Sequence, residues 1–318
     1  MSKSTKIPLE LPILDMSKPM TSSSLYSLSQ ACKDWGFFHI TEHGISKDLY
    51  TKLCTLSNQA FSLSPDIKLK LGPSSSINSY TPHFIASPFF ESLRISGPNF
   101  SSSAKITTAV LFENPNIEFC EILAEYGHKM MELSRRIMTI LLNCLGDGFE
   151  TKYLRSEFSK CHGYLRINSY TPPRDIELEE KEGLGMHTDM SCITIVYQDD
   201  VGGLQVKSKE GKWMDIIPVG GRLVVNIGDL LQAWSNGRLR SSQHRVVLKK
   251  PVHRLSLAFF WCFEDEKIVS APQELLEEGE ERIYKPFLCC DYIKFRENSE
   301  RGRFDKVGYT VDGFAANM

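Results

Sequence analysis

The chain has 318 residues, 42% hydrophobic and 24% charged, with 37 Lys and Arg against 39 Asp and Glu for a formal net charge of -2. That length holds one large domain or two ordinary ones, and the balanced composition excludes a disordered, collagen-like or coiled-coil chain. Near-neutral charge offers no field to gather phosphate backbones or anionic lipid, so neither nucleic acid nor a membrane is expected as a partner.

The first elements are an opening strand and a helix. Leu11 to Leu14 is a short apolar run before Asp15, and from Ser22 the apolar positions Leu25, Leu28, Ala31 and Cys32 recur at helical spacing. Trp35 to Ile40 (WGFFHI) is aromatic and β-leaning, His43-Gly44 makes a turn, and Leu49, Leu53, Leu56, Ala60 and Phe61 mark a second helix. Ser64-Pro65 is placed to cap a third. Trp35, Phe37 and Phe38 are expected in the core, with His39 and His43 in structural rather than ligand roles.

Residues 72–105 are dense in Ser, Pro and Gly without sustained periodicity, and are expected to form a long surface loop. Arg94 within it is expected in solvent, with contact to a substrate carboxylate as the alternative. A long helix then runs from about Pro115 to Leu145, with Ile122, Tyr126, Met130, Leu133, Ile137 and Leu141 on its apolar side, and Gly146 and Gly148 end it.

From about Lys160 the period changes from helical to alternating. Short runs follow at GYLRINSY, CITIVYQ, GLQVKS, KWMDIIPV, RLVVNIG, HRVVL and LSLAFFWCF, separated by Gly, Pro or Asp turns. Many short strands at even spacing imply a barrel or jelly roll. A charged helical stretch closes the chain, and no internal repeat is visible.

The nine cysteines are odd in number and scattered, without a C-x-x-C pair. They indicate reduced thiols. No secretory signal and no run of about 18 apolar residues is present. A cytoplasmic protein is expected, with a nuclear share left open by the modest size of the chain.

His187-Thr188-Asp189 places an imidazole and a carboxylate two positions apart at the start of a strand, where both project to one face. Alone the motif is weak. His244, at the start of another alternating run, can bring a second ring to the same spot from a strand of the facing sheet. Two His and one carboxylate form the facial triad of non-haem Fe(II) oxygenases, which leaves coordination positions open, whereas zinc favours a tetrahedral site with one opening. Arg254-Leu255-Ser256 repeats the i, i+2 device with a guanidinium and a hydroxyl, a pair suited to a carboxylate.

With these residues in view, the chain resembles the plant 2-oxoglutarate/Fe(II)-dependent dioxygenases, of isopenicillin N synthase-like fold. LPILD, WGFFHITEHGI, FSLSPDIKLK, LRINSYTPP, LGMHTDMSCITIVYQDDVGGLQV, GKWMDIIPVGGRLVVNIGDLLQAWSNGRLRSSQHRVV and HRLSLAFF match the family in order, over nearly the whole chain. The resemblance implies an α+β fold with a double-stranded β-helix (jelly-roll) core. Residues 1–157 would form the helical N-terminal region, 158–270 the oxygenase core, and 271–318 a helical segment packed on it. It implies iron at His187, Asp189 and His244, the distal carboxylate of 2-oxoglutarate at Arg254 and Ser256, and further cosubstrate contacts from Asn168 and Tyr170. Family members continue this segment as Y-P-P-C, where the present chain reads Tyr170-Thr171-Pro172-Pro173-Arg174. Asp229, in N-I-G-D, is expected to organise the turn before Leu230, His253 to point away from Arg254, and Cys192 to be a buried small hydrophobe. Cys289-Cys290 has no assigned role.

The cofactors implied are Fe(II), 2-oxoglutarate and O2, with ascorbate as support, and the reaction is hydroxylation or desaturation with release of succinate and CO2. FESLRISGPNFSSSA and the tail KFRENSERGRFDKVGYTVDGFA resemble gibberellin 20-oxidase-like proteins, although the L-P-W-K-E-T segment of authentic gibberellin 20-oxidases is missing. The expected substrate is a small hydrophobic acid such as a gibberellin-like diterpenoid, handled by a monomer. An alkaloid or phenolic substrate, an ascorbate-using branch resembling aminocyclopropane-carboxylate oxidase, and a non-catalytic binder are the alternatives.

Overall fold

The computed structural model describes residues 9–72, 78–83, 87–96, 99–112, 116–173, 180–298 and 310–316. The serines at 74–76, Pro115, Arg174 and the tail residues 299–309 discussed above lie outside them. In chain order the strands are β1 (Ile13–Asp15), β2 (Phe37–Thr41), β3 (Asn78–Thr81), β4 (Phe90–Ser96), β5 (His162–Tyr170), β6 (Lys181–His187), β7 (Ile193–Gln198), β8 (Leu204–Lys207), β9 (Trp213–Asp215), β10 (Leu223–Ile227), β11 (His244–Leu248) and β12 (Arg254–Cys262). A short pair follows, β13 (Ile268–Val269) and β14 (Phe287–Leu288). The helices are α1 (Ser22–Asp34), α2 (Lys47–Phe61), α3 (Pro65–Leu69), α4 (Phe100–Leu111), α5 (Ile117–Leu145), α6 (Phe149–Phe158), α7 (Asp229–Trp234), α8 (Cys289–Asn298) and α9 (Val311–Ala315).

Two sheets make the jelly roll: an eight-stranded one in the order β1-β2-β10-β7-β12-β5-β4-β3 and a four-stranded one in the order β6-β11-β8-β9. Side chains alternate across a strand, so the large sheet has two distinct faces. Leu165 and Ile167 of β5, with Leu257, Phe259 and Trp261 of β12, enter the hydrophobic core beneath the helices. Tyr164, Arg166, Asn168 and Tyr170, with Arg254 and Ser256, face a cavity on the other side. β5 and β12 run antiparallel in continuous register from Arg254 opposite Tyr170 to Cys262 opposite His162. Both strands are largely apolar or aromatic on the helix side, whereas the cavity side carries the polar groups of β5 and, on β12, Arg254 and Ser256 followed by Ala258 and Phe260.

The helical layer is built on α5. Asn116 caps it by accepting from the Phe119 N–H (2.9 Å), Gly146 ends it, and Leu123, Tyr126, Met130, Ile137 and Leu141 are fully buried. Truncating one of these aliphatic side chains to Ala would cost about 2–5 kcal/mol. Between α1 and β2 the chain turns at Gly36, which has φ +64°, and a Cβ there would lie 1.9 Å from the Arg240 carbonyl oxygen. Only glycine permits that approach.

The described residues of the 72–105 segment are not one long loop. They contain β3, β4 and the start of α4, and β4 is an interior strand between β3 and β5. Its polar residues concealed it: Ser92 faces the cavity side, while Glu91 is buried against Lys68 of α3. Lys68 Nζ donates to Glu91 Oε2 (2.8 Å) and to the Phe61 carbonyl (2.8 Å), and Tyr80 Oη donates to the same carboxylate oxygen (2.6 Å). Arg94 accordingly sits on a strand, its guanidinium carbon 4.1 Å from the Tyr164 ring centroid rather than in solvent. The third helix starts at Pro65 as expected, but Ser64 makes no side-chain cap bond.

Candidate active site

His187 is the last residue of β6 and His244 the first of β11, and the two stand directly opposite each other in the small sheet. The expectation that His187 opens a strand and that His244 arrives from the facing sheet is therefore corrected. Asp189 lies beyond the end of β6, in the connection to β7. Backbone bonds from the start of α7 shape that connection: the Gly228, Asp229 and Leu230 N–H groups donate to the carbonyls of Cys192 (2.9 Å), Asp189 (2.8 Å) and Ser191 (3.2 Å). The two segments touch closely, since a Cβ at residue 228 would lie 2.1 Å from the Ser191 carbonyl oxygen.

Asp189 Oδ1 lies 3.7 Å from His187 Nε2 and 3.6 Å from His244 Nε2, and the three donor atoms all fall within 4.8 Å of one another. The Nδ1 atoms of His187 and His244 rest against the Gly185 (2.7 Å) and Ser242 (3.1 Å) carbonyls. A carbonyl only accepts, so each Nδ1 carries the proton and each Nε2 turns a lone pair toward Asp189. Asp189 Oδ2 accepts from Thr194 Oγ1 (2.6 Å) and Asn226 Nδ2 (2.7 Å), which leaves Oδ1 for a ligand. Burial pushes the Asp189 carboxyl up, but positive charge on the His244 and His187 rings when they are protonated, together with these two hydrogen bonds, outweighs it and holds the carboxyl below the ordinary carboxylate value. Two neutral imidazole nitrogens and a carboxylate oxygen, each fixed by a partner behind it, fit a divalent transition metal.

Arg254 and Ser256 begin β12 as expected. Arg254 is 1% exposed; its Nη1 donates to Ser256 Oγ (3.1 Å) and its Nε to the Gly202 carbonyl. No carboxylate among the described residues pairs with it. A buried guanidinium without an anion is expensive, so this position suits an anionic ligand. Asn168 stands opposite Ser256, and its buried Oδ1 has no hydrogen-bond partner among the described residues. Burial pushes the Tyr170 hydroxyl up, with Arg254 acting against it. All seven residues singled out in the sequence line one cavity of about 260 Å³.

The same cavity contains residues that sequence reasoning missed. Arg166 lines it from β5, donating to Ser92 Oγ (3.0 Å). Arg296 reaches it from α8, about 100 positions beyond the metal motif, where no local pattern could announce it. Asp229 does more than shape a turn: it is fully buried and its Oδ2 accepts from Thr188 Oγ1 (2.8 Å), Arg296 Nη1 (2.7 Å) and Tyr292 Oη. Burial pushes its carboxyl up even against Arg296. The bland readings hold elsewhere. His253 is exposed and its Nε2 meets Ser169 Oγ (2.9 Å), burial lowers the His39 and His43 pKa values, and all nine cysteines are free, Cys192 fully buried.

Comparison with known proteins agrees with this geometry. Residues 161–263 match the 2OG-Fe(II) oxygenase superfamily, and residues 11–88 match the N-terminal region described as non-haem dioxygenase in morphine synthesis. A gibberellin 20-oxidase-like protein of Arabidopsis thaliana is 53% identical over 96% of this chain and 98% of its own. Among solved structures, the dioxygenase for auxin oxidation in rice superposes with a TM-score of 0.81 at 26% identity, over 97% of this chain and 100% of that one. JOX2, solved in complex with 2OG, Fe and JA, gives 0.77 at 26% identity, over 93% and 87% of the two chains. Similarity of this extent, across both matched segments and nearly the whole chain, decides the question of descent: the chain belongs to the 2OG-Fe(II) oxygenase superfamily and is a 2-oxoglutarate-dependent dioxygenase.

Proposed function

We propose that His187, Asp189 and His244 hold Fe(II), that Arg254 and Ser256 hold the distal carboxylate of 2-oxoglutarate with Tyr170 and Asn168 alongside, and that the enzyme oxidises a small hydrophobic acid of gibberellin-like type. The observation that carries the reading is the pairing, in one cavity, of three converging metal donors with a buried guanidinium that has no carboxylate partner among the described residues. When bound, Fe(II) and 2-oxoglutarate supply O2 activation, with decarboxylation to succinate driving hydroxylation or desaturation of a C–H bond.

The protein's part is placement. The Gly185 and Ser242 carbonyls hold the protons on Nδ1 of the two histidines, and Thr194 and Asn226 fix the rotation of Asp189. Tyr170 packs on the Arg254 guanidinium and keeps water from it. Leu184, Val196, Leu204, Val246 and Phe260 wall the rest of the cavity. An apolar enclosure with Arg166 on its lining suits a hydrophobic carboxylic acid. The names of the relatives, gibberellin 20-oxidase-like protein and dioxygenase for auxin oxidation, lean the same way.

The reading extends to a cytoplasmic monomer with the functional division at about residues 157 and 270 given above. Nine free thiols and a single chain that carries every donor of the site support it. The test is succinate release by purified protein with Fe(II) and 2-oxoglutarate, screened against gibberellins, auxins and phenolics for a mass gain of about 16 or loss of about 2. Stimulation by an acid in the panel is the expected result. Stimulation by a neutral phenolic alone would overturn the substrate class, and no succinate with any compound would overturn the reaction.

A further inference from the structure

Helix α8 ends on the metal site. Arg296 Nη1 donates to Asp229 Oδ2 (2.7 Å), Tyr292 Oη (2.9 Å) and Thr188 Oγ1 (3.0 Å), and its Nη2 donates to the Thr188 carbonyl (2.9 Å). Thr188 is the residue between His187 and Asp189. A planar guanidinium bound to both the side chain and the carbonyl of one residue fixes the orientation of that peptide, and with it the directions in which the two flanking ligand side chains leave the backbone. The second arm of the cluster reaches the same segment, because the Asp229 N–H holds the Asp189 carbonyl (2.8 Å) while the Asp229 carboxylate receives Arg296, Tyr292 and Thr188.

The bland reading is a stabilising salt bridge. The Arg296 and Asp229 side chains are only 9% and 1% exposed, and a charge pair that deeply buried gains little net stability over apolar packing. What such a cluster does specify is position. The described part of α8 reaches the ligand segment through Arg296 and Tyr292, one helical turn apart on one side, whereas Lys294 projects to solvent.

From this we infer that Arg296 is a positioning residue that makes the docking of α8 and the preorganisation of the His187-Thr188-Asp189 segment a single event, so that Fe(II) affinity and α8 protection are coupled. The inference rests on the metal assignment proposed above. Coupling between two equilibria is reciprocal: whatever factor α8 docking contributes to metal affinity, metal binding returns as protection of α8.

The test measures anaerobic Fe(II) binding in the presence of 2-oxoglutarate, and hydrogen exchange of the α8 amides with and without Fe(II), on the full chain. R296M is expected to weaken Fe(II) binding about 10- to 100-fold, the range seen when partners behind metal ligands are removed, and to abolish the Fe(II)-dependent slowing of exchange in α8. R296K recovers part of both. Y292F, which removes one hydroxyl from Asp229, gives a smaller loss and keeps the test decisive if R296M does not fold. K294A, on the exposed face of the same helix, changes neither quantity. Fe(II) affinity equal to the wild type in folded R296M, or α8 exchange in the wild type indifferent to Fe(II), overturns the inference and leaves the metal assignment standing. Failure of the wild type to bind Fe(II) overturns the metal assignment, and this inference with it.

Discussion

Tyr170 and Arg254 face each other directly across β5 and β12, with the guanidinium carbon 4.8 Å from the tyrosine ring centroid. The contact gives a buried cation an aromatic face without neutralising it. Replacing Arg254 by Ala is expected to raise the concentration of 2-oxoglutarate needed for half-maximal succinate release by at least about thirtyfold, since losing one partner of a buried charge contact costs about 2–5 kcal/mol. R254K keeps the charge but loses the planar fork, and should fall between. An unchanged requirement in R254A would remove the residue from the cosubstrate site.

The metal donors are expected to behave as a set. H187A and D189A should each lose Fe(II)-dependent succinate release to background while keeping the wild-type far-ultraviolet circular dichroism, because His187 ends a strand and Asp189 lies in the connection after it, both outside the apolar core. Turnover at the wild-type rate in either variant would show that the metal lies elsewhere.

The Lys68-Glu91 pair permits a stability prediction. Both side chains are nearly inaccessible, 6% and 7% exposed. K68M leaves the Glu91 carboxylate buried with Tyr80 as its remaining close donor, and breaking such a pair costs about 3–5 kcal/mol. Urea denaturation should report a loss of unfolding free energy of that size. A loss below about 1 kcal/mol, typical of a solvated surface pair, would contradict the burial.

The thiols give a pH prediction. Burial pushes Cys54 and Cys144 up to about 12 and raises Cys32, Cys192 and Cys262 well above the ordinary thiol value. A group whose pKa rises on folding favours the folded state fully below its unfolded value, and that contribution fades as pH climbs toward the folded one. Stability should therefore decline from about pH 8.5 upward. At pH 8 a thiol reagent should modify the partly exposed Cys120 and Cys290 rapidly, the partly exposed Cys54 and Cys144 more slowly because their thiols are held protonated, and the five buried cysteines only after unfolding. Fast modification of Cys192 or Cys262 in the native protein would contradict this packing.

Several parts of this architecture were legible from residues alone. The alternation in GYLRINSY and LSLAFFWCF announced β5 and β12, and the His-x-Asp, His and Arg-x-Ser elements named the residues that meet in the cavity. Other parts were hidden for physical reasons. FESLRIS reads as loop because its polar residues are satisfied by partners far away, Glu91 by Lys68 and Ser92 by Arg166. The ends of β6 and β11 form a pair that no local pattern encodes, so the placement of His187 and His244 in one sheet follows from register. Arg296 carries no motif, and only the docking of α8 brings it to Thr188.

β5 presents Tyr164, Arg166, Asn168 and Tyr170 along one face of the cavity. At about 3.3 Å per residue, Arg166 and Tyr170 are about 13 Å apart along the strand. On the assignment proposed above, the Tyr170 end of this ruler lies at the cosubstrate and the Arg166 end at the molecule to be oxidised. Substitutions at Tyr164 or Arg166 can thus redirect appetite while leaving the engine intact, which makes these two positions the first to randomise when a new substrate is wanted.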